Sequence, residues 1–87
     1  MSFEVVLGKK AEQFLKSCER ELYDRIIMKL GKLEEDPFPH DMKKIVGTKE
    51  KTFRVRVGDY RILYVVYLED NNILVANIDK RPKAYKS

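Results

Sequence analysis

Apolar positions along this 87-residue chain change their period near its midpoint. Phe3-Glu4-Val5-Val6-Leu7 is a short β-type run that Gly8 ends. Ala11, Phe14, Leu15 and Cys18 then recur at i, i+3, i+4 and i+7, which predicts a helix over residues 9–18. Lys9, Lys10, Glu12, Gln13 and Lys16 occupy its other face. After a break near Ser17-Cys18-Glu19, Leu22, Tyr23, Ile26, Ile27, Leu30 and Leu33 form one apolar stripe and predict a second helix. So short a connection predicts an antiparallel helical hairpin. Asp36-Pro37-Phe38-Pro39 stops the second helix, because proline has no N–H to continue the ladder. Residues 40–51 are polar and lysine-rich, with a turn expected at Gly47, and read as one long loop.

Beyond the loop the period becomes two. Phe53, Val55 and Val57 alternate with Arg54 and Arg56, and Gly58-Asp59 is a two-residue hairpin signal. Tyr60 to Tyr67 is apolar on both sides from Ile62 onward, which predicts a central strand buried on both faces. Asp70-Asn71-Asn72 marks a second turn, and Ile73 to Ile78 a last strand. The expected class is α+β in the order β-α-α-β-β-β. A mostly antiparallel sheet carries the helical hairpin on one face, in a single domain spanning residues 1–87. No repeat, low-complexity tract or linker interrupts it.

The Gly58-Asp59 turn sets a register. Val57 should pair with Tyr60, Arg56 with Arg61, Val55 with Ile62 and Arg54 with Leu63. Arg54, Arg56 and Arg61 then share one face, and the apolar set turns to the helices. Like charges directly opposed across two strands are unfavourable, so Arg56 and Arg61 need solvent, an acid or an anionic ligand between them. A tight return at Asp70-Asn71-Asn72 would bring Lys80 or Pro82 beside Arg61, with Arg81 and Tyr85 close to the same surface. Arginine makes planar, bidentate contacts to phosphate, and an adjacent aromatic ring can stack on a base. That combination describes a site for single-stranded RNA. Its plainer alternative is the ordinary charged outer face of a half-buried sheet.

Charge sharpens the choice. The net +4 is uneven: residues 1–42 carry seven basic and nine acidic side chains, and residues 43–87 carry eleven and five. A basic second half suits a polyanionic partner, although lysine-rich surfaces also serve solubility. The loop lysines Lys44, Lys49 and Lys51 and the tail lysines Lys80, Lys83 and Lys86 are candidate RNA-backbone contacts. Cys18 is the only cysteine, which excludes an internal disulfide and a cysteine metal cluster. No apolar run is long enough to cross a membrane, and no signal peptide is evident at the N-terminus, so a cytoplasmic protein is expected. His40, the only histidine, falls in the Pro37–Asp41 loop and reads as a surface residue. No carboxylate pair or metal-ligand cluster is evident, and no cofactor or metal is expected.

At this point the residues resemble a known family. Phe53-Arg54-Val55-Arg56-Val57 followed by Gly58-Asp59-Tyr60-Arg61-Ile62-Leu63-Tyr64 is similar to the central hairpin of the RelE/ParE toxin superfamily. Lys44-Ile45-Val46-Gly47 resembles that family's upstream Lys-Leu-x-Gly stretch, and Lys80-Arg81 with Tyr85 resembles the C-terminal motif of the RelE branch. The resemblance covers essentially the whole chain. It implies a toxin that cuts messenger RNA in the ribosomal A site and is restrained by a RelB-type antitoxin. It further implies ribosomal RNA and mRNA as partners, no membrane, a monomeric free toxin and a hetero-oligomer with antitoxin.

Residue by residue, Arg61 matches the hairpin arginine that stabilises the scissile phosphate. Arg54 and Arg56 match two basic strand positions that are lysines in the best-known members. Arg81 matches the arginine ending the last strand, and Tyr85 the tail tyrosine that stacks on a base and activates the nucleophile, at a shorter spacing. The expected reaction is attack of a ribose 2′-OH on the adjacent phosphate. Arginine is a poor proton shuttle, with a pKa above about 12. Tyr85 is then the candidate base, its phenol lowered from about 10 by neighbouring cations. ParE-type members share the hairpin and poison DNA gyrase instead. A third alternative is an RNA-binding member with weak or no catalysis.

Overall fold

In a computed structural model of the chain, residues 2–45 and 51–80 are described. The order is β1 (Glu4–Leu7), α1 (Lys9–Ser17), α2 (Arg20–Glu35), β2 (Lys43–Ile45), β3 (Thr52–Val57), β4 (Tyr60–Tyr67), a 3-10 turn (Leu68–Asp70) and β5 (Asn72–Lys80). The five strands form one sheet in the spatial order β1-β5-β4-β3-β2. β1 runs parallel to β5, and every other neighbour is antiparallel. The expected α+β class holds. The one element without an expectation is β2, three residues inside the segment read as loop.

Both helices lie on one face of the sheet. Ala11 and Leu15 of α1 and Ile26, Leu30 and Leu33 of α2 share a single core with Phe53, Val55, Val57, Ile62, Tyr64, Ile73, Val75 and Ile78. In β3 and β4 these are alternate positions, as a half-buried sheet requires, while in β5 the step from Val75 to Ile78 is three residues. α2 contributes a narrower stripe than its sequence pattern suggested: Tyr23 and Ile27 remain 39% and 41% exposed. Leu22 reaches the core only in part.

Two local features seat the helices. The N–H of Gly8 donates to the carbonyl of Val75 at 2.9 Å, tying the start of α1 to β5. A Cβ on Gly8 would stand 3.0 Å from that same carbonyl oxygen, so a side chain there would push the two segments apart by a few tenths of an ångström. At the far end of α2, Tyr64 is fully buried and its hydroxyl donates to the Pro37 carbonyl at 2.8 Å. Its ring packs on Phe53, which meets Phe38 edge-on at 5.4 Å. The proline turn is thus anchored to the centre of the sheet. Burial, with Asp41 and Asp36 nearby, raises the Tyr64 phenol far above the usual tyrosine range.

Candidate nucleic-acid interface

The β3–β4 hairpin has the register that its turn predicts, with Val57 on Tyr60, Arg56 on Arg61, Val55 on Ile62 and Arg54 on Leu63. Gly58 adopts φ +60°, and no other residue of the turn has a positive φ. That matches a type II′ turn, which places glycine first and follows the right-handed twist of the strands. Arg54, Arg56 and Arg61 therefore project together from the face opposite the helices. Arg56 is exposed, while Arg54 and Arg61 are half-buried.

β5 completes this face through a bulge. Leu63 pairs with Asn77 and Tyr64 with Val75, so Ala76 is an extra residue in β5. From there to the strand end the pairing is shifted by one, which brings Asp79 opposite Arg61 and Ile78 opposite Ile62. Without the bulge an apolar residue would stand beside Arg61 and a carboxylate would point into the core. Asp79 accepts from Arg61 twice, at 2.9 Å from Nε and 3.4 Å from a terminal nitrogen. The Asn77 amide donates to the same carboxylate at 3.5 Å.

Arg56, Arg61 and Asp79 thus make a row across three strands. The acid offsets the repulsion that two opposed arginines would otherwise carry. It also holds the Arg61 guanidinium in one orientation.

Several expected contacts lie elsewhere. Lys80 pairs with Tyr60, whose ring meets Phe14 on the helix side, so the residue beside Arg61 is Asp79 and not Lys80. Lys44 pairs with Phe53 and so belongs to the helix side of the sheet. Its neighbour Lys43, which pairs with Arg54, belongs to the arginine face. Lys51 is exposed just before β3. His40 is exposed in its turn. Arg81, Tyr85, Lys49, Lys83 and Lys86 lie outside the described residues.

Sequence reasoning missed Lys43, Asn77 and Asp79. The alternation of polar and apolar side chains along Asn77-Ile78-Asp79 was a readable signal, but its face depends on the bulge. Among the described residues the charged end of this face carries Lys43, Arg54, Arg56 and Arg61 against Asp79, a clear cationic excess. The other end is apolar, with Val65 only 6% exposed although it points away from the helices.

This arrangement, a helix-backed sheet with a row of arginines on its open face, has relatives. Residues 5–85 match the family model described as the ParE toxin of type II toxin–antitoxin systems. A protein of Methanocaldococcus jannaschii that carries the name toxin RelE1 is 31% identical over 100% of this chain and 99% of its own length. The archaeal RelE–RelB complex from Pyrococcus horikoshii contains a chain that superposes with TM-score 0.84 at 31% identity, covering 97% of this chain and 100% of that one. The isolated E. coli RelE toxin shares the fold, with TM-score 0.82 at 16% identity over 97% of this chain and 89% of that one. The chain belongs to the RelE/ParE toxin superfamily, as a RelE-family toxin of a type II toxin–antitoxin system.

Proposed function

We propose that this toxin is a ribosome-dependent endoribonuclease that cleaves mRNA in the ribosomal A site and so stops translation. The observation that carries the reading is the placement of Arg56 directly opposite Arg61, with Arg54 on the same face. Asp79 sets one negative charge against these arginines, so among the described residues the face keeps a cationic excess, and a phosphate diester is an anion that guanidinium geometry fits well. In the reaction the 2′-oxygen attacks the neighbouring phosphorus, and the P–O5′ bond breaks. The 2′-OH proton leaves to a base, and a proton is delivered to the departing 5′-oxygen. The phosphorane between these states carries added negative charge. Fixed guanidinium groups stabilise it without reorganising at the moment of reaction.

Within this reading Arg61 and Arg56 grip the phosphate and Arg54 assists, with Arg81 added from the strand end. Tyr85 takes the 2′-OH proton. Asp79 is a positioning residue: it sets the orientation in which Arg61 presents its remaining donors. Lys43 joins the flanking lysines as a backbone contact. The ribosome supplies the geometry of the A-site codon, so the free toxin cuts RNA poorly. The protein acts in the cytoplasm as a single domain. A RelB-type antitoxin with an acidic, amphipathic segment restrains it, a reading supported by the similarity to a chain of the Pyrococcus horikoshii RelE–RelB complex.

Expression without antitoxin tests the proposal. Arg61→Ala and Arg56→Ala should each abolish growth arrest and cleavage of ribosome-bound mRNA while the proteins stay folded. Undiminished arrest in both would overturn it. The match to a ParE toxin model keeps one competitor in view, poisoning of DNA gyrase. Inhibition of plasmid supercoiling by the purified toxin, with intact mRNA on ribosomes, would establish that reading instead.

A further inference from the structure

A second cationic surface adjoins the arginine face. Arg25, Lys29 and Lys32 are spaced i, i+4 and i+7 on one side of α2, with Met28 between them. With Arg56 and the start of the β3–β4 turn they line a groove of about 250 Å³. Like charges at helical spacing oppose each other, so such a stripe is stable in proportion to what compensates it. Elsewhere α2 does supply its own compensation: Arg20 pairs with Asp24 at 3.3 Å. Among the described residues Lys29 alone in the stripe forms an ion pair, with Asp41 at 2.9 Å from the loop before β2. Glu21 and Glu35 stand one turn beyond either end, and among the described residues neither forms an ion pair with the stripe.

The stripe is also built in place. The Arg25 guanidinium lies over Gly58, so closely that a Cβ there would be 3.3 Å from it. Lys29, held by Asp41, has a side chain only 19% exposed. β2 covers β3 only as far as Arg54, so the edge from Val55 to Val57 is uncovered among the described residues. Arg56 stands at that edge and belongs to both surfaces. A basic path therefore runs from the sheet face, over the β3 edge, to α2.

We propose that the nucleotides flanking the cleaved step follow this path, their phosphates passing from Arg56 to Arg25 and Lys32. The inference rests on the RNA reading above and extends its footprint. Continuity through Arg56 favours one polyanionic strand. A docked protein segment would need apolar anchors, and the groove offers little beyond Met28 and Val57.

The test uses 2′-O-methyl oligouridylates of about four and about twelve nucleotides, which bind but cannot be cut, lengths toward the lower and upper ends of the roughly 4–16-nucleotide sites of single-strand-binding surfaces. Arg25→Gln/Lys32→Gln should weaken binding of the longer strand roughly tenfold and flatten its log–log salt slope by about 1.4, two phosphate contacts at about 0.7 each for single strands. Binding of the shorter strand should stay within about twofold. Arg25→Lys should retain most of the longer-strand affinity, since charge and not the turn contact is at issue; circular dichroism and thermal melting confirm that each variant is folded. An unchanged longer-strand affinity, or an equal loss on both strands, overturns the path. So does a polyglutamate peptide of matched charge that competes as well as RNA, since the groove then takes acidic protein. Arg61→Ala separates the two proposals: if it weakens neither strand, the sheet-face reading fails whatever the stripe does.

Discussion

Replacing Asp79 by asparagine should make the toxin less stable and better at holding RNA. The carboxylate meets Arg61 at 2.9 Å and 3.4 Å, in a two-pronged contact whose side chains are 22% and 36% exposed. Unit charges at this range attract by roughly 5–6 kcal/mol at an effective dielectric constant near 20. Desolvation and side-chain ordering cancel most of that, and partly exposed pairs retain about 0.2–1 kcal/mol. Bidentate geometry places this pair toward the upper end. The same substitution leaves the Arg56–Arg61 repulsion without its nearest acid, worth a further few tenths of a kcal/mol. A loss of about 1 kcal/mol follows, or roughly 4–8 °C in Tm for a domain of this size.

Urea denaturation of the wild type, Asp79→Asn, Arg61→Gln and the double variant would isolate the coupling between the two residues. Filter binding of a non-cleavable oligonucleotide should meanwhile show tighter association, because the charged end of the face loses the one acid it carries among the described residues. A coupling energy below about 0.2 kcal/mol would refute the energetic argument. Weaker RNA binding by a folded Asp79→Asn would refute the electrostatic one.

Three further outcomes follow from the same geometry. Tyr64→Phe removes a buried hydrogen bond and strands the Pro37 carbonyl, so chemical denaturation should show a loss of about 1–3 kcal/mol at neutral pH. The phenol pKa is raised by folding, so its contribution is intact below about 10 and is lost as pH rises above that value; the wild type should destabilise in alkali more steeply than Tyr64→Phe. Gly58→Ala forces a side chain into φ +60° beneath Arg25 and should cost about 1–2 kcal/mol in the same assay, and an unchanged midpoint would contradict the assigned turn. Asp41 has its pKa lowered, chiefly by the hydrogen bond and charge of Lys29, so the stability it confers is complete above about pH 4 and fades as pH falls through the lower folded value. Lys29→Met should therefore cost stability at pH 7 and progressively less in acid; an equal cost at both would show that the ion pair is not its source.

The hairpin was legible from the chain because its determinants are local. A two-residue Gly58-Asp59 turn and strict alternation from Phe53 to Val57 leave one register, and that register assigns the faces of Arg54, Arg56 and Arg61. Helix positions and the proline stop were legible for the same reason. Width of the buried stripe on α2 was not, because exposure of Tyr23 and Ile27 depends on how far the helix stands over the sheet. Nor was β2, whose three residues pair only because β3 presents an edge to them.

What the sequence alone determined, then, is the class of fold, the hairpin register and the existence of an arginine face. What only the tertiary structure decided is the company those arginines keep. The Ala76 bulge turns Asp79 toward Arg61, the edge pairing selects Lys43 over Lys44, and the position of α2 brings Arg25 and Lys32 alongside Arg56. Each of these depends on pairing between segments far apart in the chain. In a sheet a shift of one residue moves a side chain to the opposite face, so such pairings escape any reading of local pattern.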